Sequence, residues 1–313
     1  MKKKIENKPM LAICSRSVSR SENAKQLLKK KFKNIKLNNS KNNLKGIKLI
    51  NFIKNSEVII VGVEKIDKEL LDKCPNLKLI GKYGVGTNNI DFEELKKRKI
   101  KILLQPGINK RAVSELILSF IILGLRNVYQ FINDVKKFKW PFLFGEQLSS
   151  KKVGIIGCGN IGRDLIKLLK PLECEIFTHD IKPDKKYLKR NNIKNYTLNY
   201  VLKNSDIITL HIPYNKNNKF LISRNQIALL KKSAILINTS RGGIVNEKIF
   251  FKFLKNNKNA LGIFDVMEKE PPNKNNLMGL KNFLLTPHIA GSTYEAINKG
   301  SIDCVKKILN EYK

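Results

Sequence analysis

The segment from residue 152 to residue 162 constrains the fold of this chain more than any other, because a short apolar run ends there in three glycines. These glycines have the spacing G-x-G-x-x-G. In a strand-turn-helix unit the first glycine allows a tight turn, the second lets the backbone approach a pyrophosphate, and the third lets the helix pack on the strand. The segment therefore predicts a dinucleotide-binding turn. The predicted cofactor contacts in it are Gly157, Gly159, Asn160, Ile161 and Gly162.

An acidic residue follows the next apolar run, where such a unit needs one. Asp180 comes directly after the run 175–179 and 18 residues beyond Gly162. A carboxylate here hydrogen-bonds the ribose diol and repels a 2′-phosphate, so it favours NAD over NADP. Three lysines close behind it soften that preference, and NADP stays the less favoured alternative. They are Lys182, Lys185 and Lys186.

Short apolar runs alternate with helical patterns along nearly the whole chain, which predicts βαβ units and parallel sheets. The 313 residues, 42% of them apolar, suffice for two domains with their own cores. Only the second series of runs carries the glycine turn, so the first is predicted to form a substrate domain. The runs are 10–14, 57–61, 77–81 and 100–104, then 153–156, 175–179, 206–210, 234–237, 261–264 and 283–286.

Two amphipathic stretches are expected to join these series. Residues 109–131 have apolar side chains at helical spacing and are long enough to bridge two domains, and residues 292–312 are predicted to cross back and close a cleft. The predicted fold class is α/β, with two doubly wound parallel-sheet domains and an interdomain cleft. A Rossmann NAD-binding domain is expected over 106–290, and a flavodoxin-like substrate domain over 1–105 and 291–313.

The net charge of +35 would ordinarily suggest a nucleic-acid partner. Here the lysines are spread over the whole length, and runs of them fall at the ends of predicted helices, where cations complement the dipole. With the excess of asparagine and isoleucine, this indicates a coding bias rather than a nucleic-acid surface. The charge still favours an anionic small-molecule substrate by steering.

Membrane and metal chemistry are not indicated by the sequence. The chain has neither an apolar run long enough to span a membrane nor the apolar core of a secretory signal, so a cytoplasmic location is predicted. Its five cysteines are scattered and lack the spacing of metal ligands, which predicts reduced thiols and no metal site.

Polar residues follow four strands of the second series, at the carboxyl ends where such folds bind ligands. Taken singly, each has a structural explanation: His288 as a hydrogen-bonded loop residue, Arg241 as a surface residue beside a Gly-Gly turn, Glu270 as a solvated acid. Because all follow strands of one sheet, their side chains are expected to converge where the nicotinamide would lie. The four segments are 211–213, 238–243, 265–271 and 286–292.

Six ordered motifs make the chain similar to the D-isomer-specific 2-hydroxyacid dehydrogenases, which include phosphoglycerate dehydrogenase. The resemblance covers nearly the whole chain. Its motifs are a substrate-side G-x-G-x-x-N-I-D-like loop at 83–91, a bridging-helix motif at 109–116, the glycine turn, R-G at 241–242, D-V-x-x-x-E-P at 265–271 and P-H-x-x-x-S/T at 287–292.

The resemblance implies that Arg241, Glu270 and His288 are the catalytic arginine, acid and histidine. A histidine suits removal of a hydroxyl proton, a carboxylate on its other nitrogen fixes the tautomer, and an arginine fork holds a carboxylate. Substrate contacts are implied at Val85 and Gly86, besides Arg241 and His288. Further cofactor contacts are implied at His211, Ile212, Pro213, Thr239, Ser240, Arg241, Asp265, His288 and Gly291.

The activity implied is hydride transfer between NAD and C2 of a D-2-hydroxy acid or 2-keto acid. Similarity to the short phosphoglycerate dehydrogenases makes 3-phosphoglycerate, and thus serine biosynthesis, the first choice. The pair Glu64-Lys65 offers only one cation where a phosphate site would favour arginine, while Arg16 and Arg20 are either anion contacts or solvated loop residues. Glyoxylate, hydroxypyruvate or another 2-keto acid is the alternative within the enzyme class, and an NAD-sensing corepressor is the alternative outside it.

Two further expectations come from the resemblance. Homodimerisation is implied through the region 109–131. The end of the chain at Lys313 predicts that the regulatory domain of longer phosphoglycerate dehydrogenases is absent.

Overall fold

The computed structural model describes residues 10–142, 144–273 and 275–311, which form two compact units. The first unit comprises the described residues up to Asn109 and those from Thr293 on, and the second runs from Lys110 to Ser292. The boundaries expected from the sequence, at 105/106 and 290/291, lie within four residues of these points.

The first unit is built on a five-stranded parallel sheet in the order β2-β1-β3-β4-β5. This is the strand order of flavodoxin-like folds. The strands β3 and β4 are buried along their whole length, as expected where helices cover both faces of a parallel sheet. In chain order the elements are β1 (Leu11–Ile13), α1 (Arg16–Arg20), α2 (Glu22–Lys29), β2 (Ile35–Leu37), α3 (Gly46–Ile53), β3 (Val58–Val61), α4 (Lys68–Asp72), β4 (Leu79–Lys82), α5 (Phe92–Lys97) and β5 (Lys101–Leu103).

The second unit contains a seven-stranded parallel sheet. Its elements are α6 (Lys110–Leu125), α7 (Val128–Val135), β6 (Lys152–Ile156), α8 (Asn160–Leu169), β7 (Glu175–His179), α9 (Lys185–Arg190), β8 (Lys194–Asn195), α10 (Leu198–Asn204), β9 (Ile207–Leu210), α11 (Arg224–Ala228), β10 (Ile235–Asn238), α12 (Glu247–Asn256), β11 (Leu261–Phe264) and β12 (Phe283–Leu285). The order β12-β11-β10-β9-β6-β7-β8 is a Rossmann sheet extended by one strand. Two parallel α/β sheets confirm the predicted fold class.

The chain then returns to the first unit as α13 (Tyr294–Glu311). Gln105, after β5, donates from Nε2 to the carbonyl oxygen of Gly300 at 2.8 Å and to Asp303 at 3.0 Å. This helix packs closely on β4 at Gly81, where a Cβ would lie 2.6 Å from Ile308 Cδ1 and 3.0 Å from Cys304 Sγ.

Two strands at sheet edges were missed by the sequence analysis. The strand β2 is three residues long with an exposed lysine in the middle, and β8 has only two residues, both exposed. Neither forms the apolar run from which the other strands were predicted. Each extends its sheet through parallel pairing, β2 with β1 and β8 with β7.

The helical spacing of residues 109–131 corresponds to two helices rather than one. The helix α6 ends at Leu125, Asn127 adopts a left-handed conformation with φ of 48°, and α7 continues after a bend of 64°. Asparagine tolerates this conformation better than most residues, so it can end a helix. Within the described residues no single helix has the length and apolar character of a membrane span, and only the bent pair of α6 and α7 reaches them together.

Candidate active site

The glycine turn between β6 and α8 has the geometry predicted from its spacing. Gly157 has φ of 98°, and a Cβ there would lie 2.6 Å from the carbonyl oxygen of His211. A Cβ at Gly162 would lie 2.3 Å from the carbonyl oxygen of Gly157, so no side chain fits between helix and turn. A Cβ at Gly159 would meet nothing within 4 Å. The first and third glycines are therefore required by the fold, while the second leaves the open space that a pyrophosphate needs at the N-terminus of α8.

Asp180 is fixed at the mouth of this turn. Its carboxylate accepts hydrogen bonds from the amides of Cys158 and Lys182, each at 2.8 Å. A carboxylate has about four acceptor sites, so Asp180 retains capacity for a ribose hydroxyl. Asp180 therefore lies beside the glycine turn, and its contact with a ribose stays a prediction.

Two buried polar atoms without partners lie at the ends of neighbouring strands. Within the described residues, neither His211 Nδ1 nor Thr239 Oγ1 has a hydrogen-bond partner. The other nitrogen of His211, Nε2, lies 3.1 Å from Thr209 Oγ1, and burial lowers the pKa of His211 to about 3. Buried polar groups without a hydrogen-bond partner are rare in proteins, so these two atoms are candidates to hydrogen-bond a cofactor. His211 and Thr239 were both predicted as cofactor contacts.

The loop after β10 presents Arg241. Buried Asn238 accepts hydrogen bonds from the amide and hydroxyl of Ser240 at 3.1 and 2.8 Å, and its own amide donates to the carbonyl oxygen of Arg241 at 3.0 Å. The guanidinium donates to the carbonyl oxygen of Ser240 at 2.6 Å. Burial lowers the pKa of Arg241, and the charge of Glu270 opposes that shift. An arginine remains protonated despite such a shift, so it presents a fixed positive charge.

Gly242 holds this loop against the next one, a role that the sequence analysis did not assign. A Cβ at Gly242 would lie 1.9 Å from the carbonyl oxygen of Met267 and 2.4 Å from the amide nitrogen of Glu268. The arginine loop therefore contacts the backbone that leads to Glu270. The pair Gly242-Gly243 after a strand was the available signal, and it was interpreted only as a turn.

His288 and Glu270 form a direct pair. His288 Nδ1 lies 2.6 Å from Glu270 Oε2, and Glu270 Oε1 accepts the amide of Met267 at 3.1 Å. The hydrogen bond with Glu270 raises the pKa of His288 above its ordinary value, against the effect of burial. Burial alone would raise the pKa of Glu270, but the bond with His288, the amide of Met267 and the charge of Arg241 together lower it. The structure thus brings all three predicted catalytic residues into mutual electrostatic range.

The backbone of His288 is held in an uncommon conformation by Asp265. His288 has φ of 54°, in the left-handed region that non-glycine residues rarely adopt. Asp265, only 1% exposed, accepts hydrogen bonds from Thr286 Oγ1 at 2.5 Å and from the amides of Ile289 and Ala290 at 2.8 Å. These bonds offset the strain of a non-glycine residue in this region, which is of order 1–3 kcal/mol. Contact between Asp265 and a cofactor stays a prediction, since its carboxylate is engaged here by its own chain.

A cavity of about 370 Å³ opens onto this pair. His288, Glu270 and several apolar side chains line it, a composition typical of small-molecule sites. The lining residues are Asp265, Met267, Glu270, Pro271, Pro272, Leu285, Thr286, Pro287 and His288.

The other predicted site residues lie in loops at the carboxyl ends of strands. Ile212 and Pro213 follow β9, and a Cβ at Gly157 would lie 3.0 Å from Ile212 Cγ2. Gly291 lies in the turn that follows Ala290. In the first unit, Val85 and Gly86 are half-buried in the loop after β4, and their amides make no hydrogen bond with the residues of that unit that the structure describes.

Comparison with known proteins identifies the family. Residues 118–290 match the family model described as D-isomer specific 2-hydroxyacid dehydrogenase, NAD binding domain. A D-3-phosphoglycerate dehydrogenase of Methanocaldococcus jannaschii is 34% identical over 268 residues, covering 83% of this chain and 51% of that protein. A hydroxypyruvate reductase of Thermotoga maritima is 32% identical over 270 residues, covering 84% of this chain and 87% of that protein.

A solved structure agrees with this assignment. The crystal structure of D-lactate dehydrogenase from Aquifex aeolicus, complexed with NAD and lactic acid, has a TM-score of 0.85 and 25% identity, covering 97% of this chain and 95% of that chain. This chain spans about half the length of the archaeal phosphoglycerate dehydrogenase that it matches. The family model matches more than half of the chain, and the hydroxypyruvate reductase is matched over most of its length. The chain therefore belongs to the D-isomer specific 2-hydroxyacid dehydrogenase family, whose NAD-binding domain it contains.

Proposed function

We propose that this protein is an NAD-dependent oxidoreductase that interconverts a D-2-hydroxy acid and its 2-keto acid. The observation that carries the proposal is the pair of His288 and Glu270, in which Nδ1 lies 2.6 Å from Oε2. The same unit contains the glycine turn, whose open space at Gly159 suits the pyrophosphate of NAD. When bound, NAD⁺ would accept the hydride from the hydroxy acid, and NADH would donate it to the keto acid. The residues proposed to hold it are those of the glycine turn with Asp180, His211 and Thr239.

The three catalytic residues have separate roles in this proposal. Since Glu270 engages Nδ1 of His288, Nε2 remains to take the proton from the substrate hydroxyl and to return it in the reverse direction. Glu270 stabilises the imidazolium so formed. Arg241 provides a planar fork of donors for the substrate carboxylate, which the amides of Val85 and Gly86 would bind as well.

The pH dependence of the oxidation rate should reflect the protonation of His288, which Glu270 influences. Oxidation of the hydroxy acid requires neutral His288, so its rate should rise with pH through an apparent pKa above the ordinary 6.5. In Glu270→Gln the charge that favours the imidazolium is removed, and the apparent pKa should move downward. Initial rates measured between pH 5 and 9 for both proteins check this, and an unchanged profile would contradict the assigned role of Glu270.

Three substrates compete for the proposed site. The sequence analysis favoured 3-phosphoglycerate, which would place the protein in serine biosynthesis, and the Methanocaldococcus jannaschii relative supports that choice. Hydroxypyruvate is supported by the Thermotoga maritima relative, most of which the chain covers. Glyoxylate is the third.

A substrate panel tests the proposed function. The protein is mixed with NADH and each 2-keto acid, or with NAD⁺ and each D-2-hydroxy acid, and nicotinamide absorbance is followed. Turnover of at least one pair supports the enzyme. NADH binding without turnover of any pair would favour the NAD-sensing alternative.

We further propose that the protein acts as a homodimer in the cytoplasm. A group of exposed aromatic side chains follows the predicted contact region 109–131, with Phe138, Trp140, Phe142 and Phe144 at least 85% exposed. Aromatic residues are enriched at the centres of protein interfaces, and large exposed apolar groups commonly mark them.

Removal of two of these aromatic residues should disrupt the dimer. Light scattering is expected to give about twice the 35.9 kDa of one chain. The double variant Trp140→Ser, Phe142→Ser should scatter as a monomer, because two of the four exposed rings of this group are removed and aromatic anchors often dominate the binding energy of an interface. Tyr294→Ser, which removes a ring 92% exposed outside this group, is the matched control. A monomeric wild-type protein would contradict the proposal.

A further inference from the structure

Arg163 is anchored to the helix α9 although it belongs to α8. It follows Gly162 directly, and its Nη1 lies 3.1 Å from Asp184 Oδ2 at the start of α9. The guanidinium carbon lies 4.9 Å from the centre of the ring of Tyr187, within the range of a cation–π contact. The hydroxyl of Tyr187 donates to the carbonyl oxygen of Arg163 at 3.1 Å. The side chain of Arg163 is therefore held in one position, although it is 37% exposed.

The anchors of Arg163 are themselves fixed. Asp184 caps α9 by accepting the amide of Tyr187 at 3.0 Å. This bond lowers the pKa of Asp184, and the charge of Arg163 adds to that effect against the opposing effect of burial. Tyr187 is only 8% exposed and packs in the core of the second unit. The ion pair of Arg163 and Asp184 is therefore present at neutral pH.

Arg163 also binds the glycine turn. Its Nε donates to the carbonyl oxygen of Cys158 at 3.0 Å. Cys158 lies between the first two glycines of the turn, and its side chain, 4% exposed, packs in the core. The amide of Cys158 donates to Asp180 at 2.8 Å. Cys158 is thus held at its amide, its side chain and its carbonyl group, and the last of these contacts is made by Arg163.

The carbonyl group of Cys158 and the N–H of Gly159 belong to the same peptide group. This group is planar and trans, so the two point in opposite directions. Among the residues that the structure describes, the N–H of Gly159 has no hydrogen-bond partner, and a Cβ at Gly159 would meet nothing within 4 Å. A backbone donor without a partner beside open space at a helix N-terminus suits a phosphate group. The bond from Arg163 to the carbonyl oxygen therefore sets the direction of this donor.

We propose that Arg163 is a positioning residue for NAD, which holds the peptide group between Cys158 and Gly159 so that its N–H faces the pyrophosphate. This role requires no contact between Arg163 and the cofactor. The inference rests on the proposed NAD site and does not depend on which acid is the substrate. Without Arg163 the peptide group gains freedom to rotate, and ordering it again becomes part of the cost of binding NAD.

A simple attraction between Arg163 and the anionic cofactor would be a different mechanism. The two mechanisms predict opposite effects for Asp184→Asn. Asparagine can still cap α9 through its side-chain oxygen, but it no longer attracts the guanidinium. If charge alone matters, removal of a negative charge should strengthen the binding of an anion. If the position of Arg163 matters, binding should weaken, because Arg163 loses an anchor.

Titration of NADH fluorescence gives the Kd that tests the proposal. Arg163→Met and Arg163→Lys should each raise the Kd about tenfold, the loss of about one hydrogen bond, and Asp184→Asn should raise it about threefold. Lysine keeps the charge but lacks the planar fork that reaches the Cys158 carbonyl and Asp184 together. The loss in Arg163→Met should persist at about 0.5 M salt, where attraction between exposed charges is largely screened.

Two matched variants control for charge and for stability. Lys167→Met removes an exposed cation one turn farther along α8 and should change the Kd by less than about twofold. Tyr187→Phe removes the hydroxyl bond to the backbone of Arg163 but keeps the ring at the guanidinium. It should lower the midpoint of urea unfolding without a comparable rise in the Kd, which separates stability from cofactor binding.

An unchanged Kd in Arg163→Met, a wild-type Kd in Arg163→Lys or tighter NADH binding by Asp184→Asn would each overturn the proposal. A rise in Tyr187→Phe as large as that in Arg163→Met would also overturn it, because loss of stability would then explain both. If Arg163→Met does not fold, Arg163→Lys and Asp184→Asn decide the question. Wild-type protein that binds no NADH would contradict the proposed function itself, so the two failures are distinguishable.

Discussion

Replacement of His288 by alanine is expected to lower kcat by about 10²–10⁴-fold, the range that a positioned general base contributes. The Nδ1 atom of His288 is hydrogen-bonded to Glu270, and that bond raises the pKa of His288. The rate is measured with saturating NAD and whichever acid the substrate panel identifies. Cofactor affinity, followed by NADH fluorescence, should change little, because the glycine turn is formed by other residues.

His288→Gln separates proton transfer from packing. Glutamine can still donate a hydrogen bond to Glu270, but it cannot accept a proton at neutral pH, so it should be nearly as slow as alanine. His211 cannot replace the base, since burial lowers its pKa to about 3 and a base that weak has little driving force for proton transfer. A variant at His288 with a near-normal rate would remove this residue from the mechanism.

The core strands were predictable because they are continuous apolar runs buried in parallel sheets. Runs such as Val58–Val61 and Ile207–Leu210 can be recognised without knowledge of their neighbours. The strands β2 and β8 lack such runs and exist because a neighbouring strand offers an unpaired edge. The break at Asn127 was missed for a similar reason: the apolar spacing continues through it, and only the backbone conformation of one residue changes.

The candidate site was predictable where residue type determines the chemistry. Spacing alone located the glycines of the turn and Asp180, and the family motifs located Arg241, Glu270 and His288. What the sequence did not reveal are contacts between loops distant in the chain. The bonds of Asp265 to the amides of Ile289 and Ala290 depend on where two strands end relative to one another. A local sequence pattern carries no information on which strand ends are neighbours in the folded chain.

Gly242→Ala should inactivate the protein although Gly242 has no chemical group to contribute. Its Cβ would lie 1.9 Å from the carbonyl oxygen of Met267 and 2.0 Å from the carbonyl carbon, far inside van der Waals contact with backbone that cannot rotate away. The loop with Arg241 must then move away from the segment leading to Glu270. A misplacement of about 1 Å is enough to lower catalysis on the order of 10²-fold, and overpacking of this kind destabilises by roughly 1–3 kcal/mol.

Gly279→Ala is the matched control, because a Cβ there would meet nothing within 4 Å. Comparison of kcat/KM and of the midpoint of urea unfolding for the two variants separates the steric effect from the general effect of replacing glycine. Gly242→Ala should lose at least about 10²-fold in kcat/KM and unfold at lower urea, while Gly279→Ala should resemble wild type. If both variants behave alike, the contact between the arginine loop and Met267 does not position Arg241. Gly242 would then be dispensable for placing Arg241, although Asn238 would still hold the carbonyl oxygen of Arg241.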